Sequence, residues 1–372
     1  MEDESSRLVS KVQELGDIEL AALLCFIAQE HCIIEADEEE FENVEQELGL
    51  IAHKTFGLSY VVVNCSEETT VDDFGNGILI RGDSEDASTP VPKLPTFRQA
   101  EDSFFSSDAQ ERRRSARQPS ECLEDGQIAD VIIAKNLNLA SSQVQIQALE
   151  LLRGKRLFTR TAVHAASKRF LFVALLSTAH PARLVKHLND HLAISHSHDI
   201  DDGSDDGNGQ MLRDDASSTG SVIRSPPATP IKFGERLVHT SSIAITKEDI
   251  DSLIVLASKV RLSSDVRCYL HDIVVFTRMH RAVASGVSAM ATRHLYALVN
   301  ALAPLHGIDY VTPSLVALAA RKIYSHRLVI TTPENERSTQ WGSSVEAVAE
   351  LLDGITVEEI IEDVLETVQV PL

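Results

Sequence analysis

A loop that cradles phosphate needs three things: glycines, so that backbone N–H groups converge on the oxygens, a lysine to neutralise their charge, and a Ser or Thr hydroxyl to meet Mg²⁺. The segment 39–46 reads Glu-Glu-Phe-Glu-Asn-Val-Glu-Gln and lies between the apolar run Cys32, Ile33, Ile34 and an amphipathic stretch, where such a loop would sit. It has no glycine and no lysine. His191, His196 and His198 precede Asp199, Asp201, Asp202, Asp205 and Asp206, a mixture of imidazole and carboxylate suited to a metal. Their spacing matches no ligand motif, and the segment reads as a solvated loop; no metal site is expected. The Ser, Cys and His residues show no nucleophile elbow or triad spacing. Arg112-Arg113-Arg114-Ser115 offers Ser115 to a basophilic kinase, and Ser225-Pro226 and Thr229-Pro230 offer Ser225 and Thr229 to proline-directed kinases. Each phosphate would add about −1.5 to −2 charges.

The elements that must position any site are bounded by composition. The chain has 372 residues, 43% hydrophobic and 24% charged, enough for two buried cores at ~100–200 residues per domain. A formal net charge of −22 opposes nonspecific binding to nucleic acid or an anionic membrane, which depends on clustered Lys and Arg. No apolar run approaches the ~20 residues that span a bilayer, and Met1-Glu2-Asp3-Glu4 is acidic where a targeting peptide would be basic. The expectation is an intracellular protein, cytoplasmic first, with the nucleus open. Cys25, Cys32, Cys65, Cys122 and Cys268 are few, odd in number and scattered, as reduced thiols would be. Cys25 and Cys32 share a helical spacing and read as buried small apolar residues.

Polar stretches divide the chain. Residues 82–126 and 199–240 are rich in Ser, Asp, Glu, Gly and Pro and are expected to be disordered insertions. In 1–81, Leu20, Leu23, Leu24 and Ile27 predict a helix, Cys32–Ile34 a strand, Val44, Leu48, Ile51 and Ala52 a second helix, and Tyr60–Val63 a second strand. In 127–198, Val131–Ile133 predict a strand, Val144–Leu152 a helix and Phe170–Leu176 a buried strand. Such alternation implies a parallel sheet covered by helices. Residues 241–330 show almost no strand signal, only helical patterns at Ile250–Val260, Ser263–Ala284, Thr292–Leu305 and Pro313–Ser325. The last starts well, with Thr312 as cap and Pro313 in the first turn. Residues 331–372 are a linker followed by one or two short helices of acidic and aliphatic residues.

The helical part carries a resemblance. Ser263-Ser264-Asp265-Val266-Arg267, Gly286-Val287-Ser288, Gly307-Ile308-Asp309-Tyr310-Val311-Thr312-Pro313 and Tyr324-Ser325-His326-Arg327-Leu328 are similar to the helical lid of the magnesium-chelatase I-subunit and MoxR group of AAA+ ATPases. Ala134-Lys135-Asn136-Leu137-Asn138, with Gln145 and Leu149-Glu150, resembles the family's Ala-Asp-Glu-x-Asn segment and the helix after it. Phe56-Gly57-Leu58, Val61–Asn64 and Asp72-Asp73-Phe74-Gly75 resemble the strand and turn that follow the phosphate-loop helix. The resemblance implies an α/β AAA+ core with a C-terminal α-helical lid, in which Glu45 falls on the phosphate lysine and Gln46 on the hydroxyl residue. It places Lys135 and Asn136 on the metal-holding Asp and water-activating Glu, leaves Asn138 a structural role, puts Ser177 on a polarising Asn, His191 on an arginine that reaches a neighbour's γ-phosphate, and Met290 on the lid arginine. Arg293 stands one turn beyond Met290.

What the resemblance implies about activity is therefore a degenerate nucleotide site. At ~4 Å a unit charge pair is worth ~4 kcal/mol at an effective dielectric of ~20, so Glu45 would repel what a lysine attracts. The expectation is a fungal-type magnesium-chelatase homologue that has lost hydrolysis, needs no cofactor, and acts as an assembly or regulatory subunit on a protein partner, either an AAA+ subunit or a second copy. Two alternatives stand beside it. An active ATP- and Mg²⁺-dependent subunit would need Lys54, Arg293 or Arg327 in place of the missing lysine. A phospho-regulated scaffold would carry its partner motifs in the insertions.

Overall fold

The apolar runs pair as strands in the computed structural model, which describes residues 2–81, 126–159, 162–180, 182–198 and 244–371. β1 (His31–Ala36), β2 (Tyr60–Asn64), β3 (Val131–Lys135), β4 (Leu171–Ser177) and β5 (Leu192–His198) form one sheet in the order β2-β3-β4-β1-β5. Every neighbouring pair is parallel. β4, Leu-Phe-Val-Ala-Leu-Leu-Ser, is buried at every position, as expected of a strand covered on both faces.

The helices are α1 (Glu2–Gln13), α2 (Asp17–Ala28), α3 (Phe41–Leu50), α4 (Val71–Gly77), α5 (Ser142–Gly154), α6 (Lys186–His191), α7 (Lys247–Ser258), α8 (Ser264–Met279), α9 (Ala289–Leu305), α10 (Pro313–Tyr324), α11 (Val345–Leu352) and α12 (Val357–Thr367). Because strand side chains alternate between faces, Cys32, Ile34 and Ala36 of β1 point into one core and Ile33 into another. The second core is closed by α4, α5 and α6 through Phe74, Val144, Ala148, Leu151 and Leu188. The first core runs without a break from the sheet through α2 and α3 into α7, α9 and α10, joining Leu24 and Val44 to Leu253, Leu298 and Ile323. The chain is thus a five-stranded parallel sheet flanked by helices, with a C-terminal helical lid region built on the same apolar core as one face of that sheet.

Several expectations are corrected. The segment Leu192–His198 is an edge strand, although only its first three residues are apolar; it pairs with β1 alone. The helix expected over Ser263–Ala284 stops at Met279, because Val283–Ser285 leaves to pair with Val329–Ile330. The helix expected at Thr292 begins at Ala289, where the Ser288 hydroxyl accepts from the Ala291 amide. Asp72-Asp73-Phe74-Gly75 is helical, with Thr70 and Asp73 forming a capping box. Cys25 and Cys32 do not share a helix: they lie on α2 and β1, both fully enclosed. Gly126 belongs to a strand, Gly126–Ile128, paired with Leu79–Arg81. The two expected insertions, with Ser115, Ser225 and Thr229, lie outside the described residues, apart from Gly126.

Among the described residues no helix is long and apolar enough to cross a membrane.

Buried imidazoles make this fold acid-sensitive. Burial holds His31 and His196 down at about 3, and burial with the neighbouring Arg327 charge holds His326 well below its ordinary value. The His31 Nδ1 accepts from the Phe172 amide at 3.2 Å, so its ring is neutral there. All three are neutral when folded and free to protonate when unfolded, so the unfolded chain binds more protons below pH ~6.5. Their stability is fully present above that value and is lost as pH falls through it, by about 1.4 kcal/mol per unit for each imidazole. Neither nitrogen of His196 has a hydrogen-bond partner, so His196→Leu removes one titration without orphaning a contact. In urea unfolding at pH 7.5 and 5.5, the wild type is expected to lose more stability than His196→Leu over the same interval.

Candidate functional site

β1 delivers the chain to the C-terminal edge of the sheet, the edge at which open parallel sheets bind ligands. The turn Asp37–Glu40 follows and α3 begins at Phe41. The turn is closed by the Glu40 amide donating to the Asp37 carbonyl at 3.1 Å and by the Thr178 hydroxyl, just beyond β4, donating to the Asp37 carboxylate. Its residues, Asp37, Glu38, Glu39 and Glu40, are all acidic. Carboxylates complement the free N–H groups and positive dipole end of a helix N-terminus. In this chain the complement is one of charge alone, since no side chain caps α3 by a hydrogen bond.

One turn into α3, Glu45 faces the last residue of β3, Lys135. Their side chains form a salt bridge and are 27% and 15% exposed. The Lys135 ammonium also sits 5.2 Å from the centre of the Phe41 ring, an additional attraction of about 0.5–1 kcal/mol. The two positions that the sequence resemblance sets on a phosphate lysine and a metal-holding aspartate are thus brought together as an ion pair. Gln46 points to solvent on the next position of α3.

The neighbouring positions hold structure. Asn136 takes a left-handed backbone conformation (φ 53°) that Asn tolerates, and its amide donates to Leu175 O at 2.9 Å. Asn138 donates to Ala182 O at 2.9 Å. Gln145 donates to Ala140 O at 3.0 Å and accepts from the Val185 amide at 2.8 Å, tying α5 to the loop after β4. Ser177 ends β4, where its hydroxyl accepts from the Ala179 amide at 3.3 Å. His191 closes α6, half-buried, its pKa lowered by burial and then by His294. Met290 is half-buried near the start of α9. Arg293 reaches Glu30 at 3.8 Å with 63% of its side chain exposed.

None of the three substitutes for the phosphate lysine meets Glu45. Lys54 lies 13 residues past Phe41 along α3 and the helical turn after it, about 20 Å at 1.5 Å per residue, and is exposed. Arg293 is on Glu30. Arg327, 4% exposed, donates to Leu192 O (2.5 Å), Asp190 O (3.2 Å), Ile323 O (3.2 Å) and His294 Nδ1 (2.7 Å). His294, wholly enclosed, turns its other nitrogen to Glu30 at 3.3 Å. Burial opposes the Glu30 charge, but the His294 bond and the His294 and Arg293 charges outweigh it and hold its pKa low.

This Glu30–His294–Arg327 chain joins α2, α9 and the end of α10 to the first residues of β5. Three further bonds reinforce it: Ser288 donates to Asp190 at 2.5 Å, Asn189 to His326 O at 2.9 Å, and His326 to Leu192 O at 3.0 Å. Sequence reasoning noted His326-Arg327 as a lid string, but not their partners, which are far away in the chain. Gly286 completes the joint: at φ 120° its backbone lies so close to Arg327 that an added Cβ would meet the carbonyl oxygen at 2.3 Å.

Comparison with known proteins agrees with this architecture. The AAA lid domain family matches residues 275–350. The crystal structure of a protein from Cytophaga hutchinsonii, provisionally designated an ATPase, superposes with a TM-score of 0.61 at 15% identity, covering 100% of this chain and 96% of that one. The uncharacterised protein YeaC of Bacillus subtilis is 29% identical over 135 residues, 36% of this chain and 37% of YeaC. Maintenance of telomere capping protein 2 of Lachancea thermotolerans is 30% identical over 102 residues, 26% of this chain and 36% of that protein. The chain therefore spans little more than a third of the length of the curated relatives it matches. Its fold is AAA+ ATPase-like, with an AAA lid.

The joint predicts a specific sensitivity. Arg327→Lys keeps the charge but cannot supply the guanidinium's fan of donors to three carbonyls and a ring nitrogen, and is expected to cost about 2–4 kcal/mol in chemical unfolding. A loss within ~0.5 kcal/mol, the size of an ordinary surface substitution, would mean that the joint is not structural.

Proposed function

We propose that this chain is a non-catalytic AAA+-like subunit, of the magnesium-chelatase I-subunit and MoxR kind, that presents its core and lid to a protein partner. The observation that carries the reading is the Glu45–Lys135 salt bridge. ATP chemistry on such a fold asks for a cation toward the β- and γ-phosphates, a carboxylate holding Mg²⁺ and a residue orienting the attacking water. The residues present do not fit that group. A carboxylate and an ammonium sit in exchanged places, Asn136 is fixed by strand geometry, and the turn before α3 has four acidic residues and no glycine.

The lid supports the same reading. Nucleotide-driven work needs an element that moves between states, but here lid and sheet share one apolar core and the buried Arg327 joint. A fixed lid suits a protein whose use is the surface it presents. The partner proposed is another AAA+ subunit or a second copy of this chain, without bound cofactor.

Calorimetric titration with ATP and Mg²⁺ tests it, with the exchange variant Glu45→Lys/Lys135→Asp alongside. The wild type is expected to give no binding heat and no thermal stabilisation at about 1 mM nucleotide, a weak-binding ceiling of roughly −4 kcal/mol. Micromolar binding by the wild type would overturn the proposal.

A further inference from the structure

A second feature at the same sheet edge is unused by this reading. Between the loop after β4 and the paired lid strands opens a cleft of about 1090 Å³. Four of its lining cations, Arg183 and Lys186 from the core and Arg278 and Arg337 from the lid, are exposed and form no close salt bridge among the described residues, although Arg183 acts at longer range on Glu35 and Arg337 on Glu336. On the lid side they are pre-positioned by main chain: Arg278 donates to Val287 O at 3.2 Å, and Arg337 to Arg278 O at 3.1 Å. Four exposed cations facing one cleft run against a formal net charge of −22, and they concentrate positive potential where low-dielectric walls focus it.

The deeper lining narrows the ligand. Asn138, 7% exposed, and Arg327, 4% exposed, both border the cleft. The Asn138 Oδ1 is an acceptor and the Arg327 Nε a donor, both buried and without hydrogen-bond partners; Nε lies 3.7 Å from the Asp190 carboxylate, beyond hydrogen-bond range. Buried polar groups left in this state call for a partner. One unsatisfied donor and one unsatisfied acceptor are what a peptide unit, with its C=O and N–H, can answer. Glu35 and Asp190 also border the cleft, which disfavours a compact, multiply charged phosphate on its floor. A chain whose backbone runs along the floor and whose carboxylates spread to the rim avoids that conflict.

We propose that this cleft binds an acidic peptide segment, with its backbone against Asn138 and Arg327 and its carboxylates on Arg183, Lys186, Arg278 and Arg337. The site does not depend on whether the Glu45 position binds nucleotide. The occupant is the chain's own Asp199, Asp201, Asp202, Asp205 and Asp206, which follow directly on β5, whose last residue, His198, pairs with Ala36 at this same edge.

The test uses the full chain and a fluorescein-labelled peptide of residues 199–208, read by fluorescence anisotropy. The proteins are the wild type, a variant with the five aspartates changed to asparagine, and that variant with Arg183→Glu and Lys186→Glu added. A second pair, Arg278→Ala/Arg337→Ala, probes the lid wall, and unfolding midpoints confirm that each variant folds. The proposal expects saturable binding to the asparagine variant, weakened at least about tenfold by either pair of cation changes and by raised salt. Binding at least about tenfold tighter to the asparagine variant than to the wild type is expected, because the chain's own segment competes in the wild type; equal binding would overturn the assignment to that segment and point to a partner's acidic stretch. No binding to either protein at about 100 µM, binding indifferent to the cation changes, or displacement by inorganic phosphate at constant ionic strength would each overturn it.

Discussion

An ammonium at the C-terminal end of a buried parallel strand must find a counter-charge, because the sheet around it is apolar and partial burial penalises an unpaired charge. Lys135 ends β3 in this setting, beside the equally apolar end of β4, and Glu45 on α3 meets it. That contact sets where α3 lies over the sheet edge and therefore what the turn Asp37–Glu40 can do. α3 is held down by Glu45 and Phe41 on one cation, and the turn before it is closed by Thr178 on Asp37. Site and scaffold follow from one arrangement. The ion pair supplies electrostatic attraction between α3 and β3.

The lid follows a similar logic at the other side of β1. Arg327 is buried and charged, a combination that calls for partners, and its two terminal nitrogens find them on the carbonyls at the start of β5 and on His294, which passes the interaction to Glu30. Ser288 caps α9 and pins Asp190 with the same hydroxyl. Gly286 allows the backbone approach that this joint requires. Core and lid are consequently one packed body, and the cleft between them has walls of defined geometry with both sides contributing cations.

Much of this was legible in the sequence. The strands Tyr60–Val63, Val131–Ile133 and Phe170–Leu176 announced themselves because doubly covered parallel strands are continuous apolar runs, and Thr312-Pro313 marked the start of α10. β5 was not legible: after Leu192-Ala193-Ile194 it continues as Ser-His-Ser-His, and only pairing with β1 makes that a strand. The overlong helix expected through Ala284 failed for a similar reason, since Val283–Ser285 answers to Val329–Ile330, far along the chain. Of the site, Glu45, Lys135 and Asn136 were singled out as departures from a nucleotide-binding pattern, each read as a separate loss. That Glu45 and Lys135 compensate one another is a property of two positions 90 residues apart, which no local pattern contains. The Arg327 joint and the cationic cleft are likewise assemblies of distant residues, each unremarkable in its own segment.

The most direct measurement of this account is a double-mutant cycle on Glu45 and Lys135, using Glu45→Gln, Lys135→Met and the double variant in urea unfolding at pH 7. For a pair this enclosed, the account predicts a coupling of about 1–2 kcal/mol, between the values for exposed and fully buried pairs, with Glu45→Gln alone more destabilising than the same change made beside Lys135→Met. Additive effects within ~0.3 kcal/mol would contradict it, because the two side chains would then not be holding α3 against the sheet.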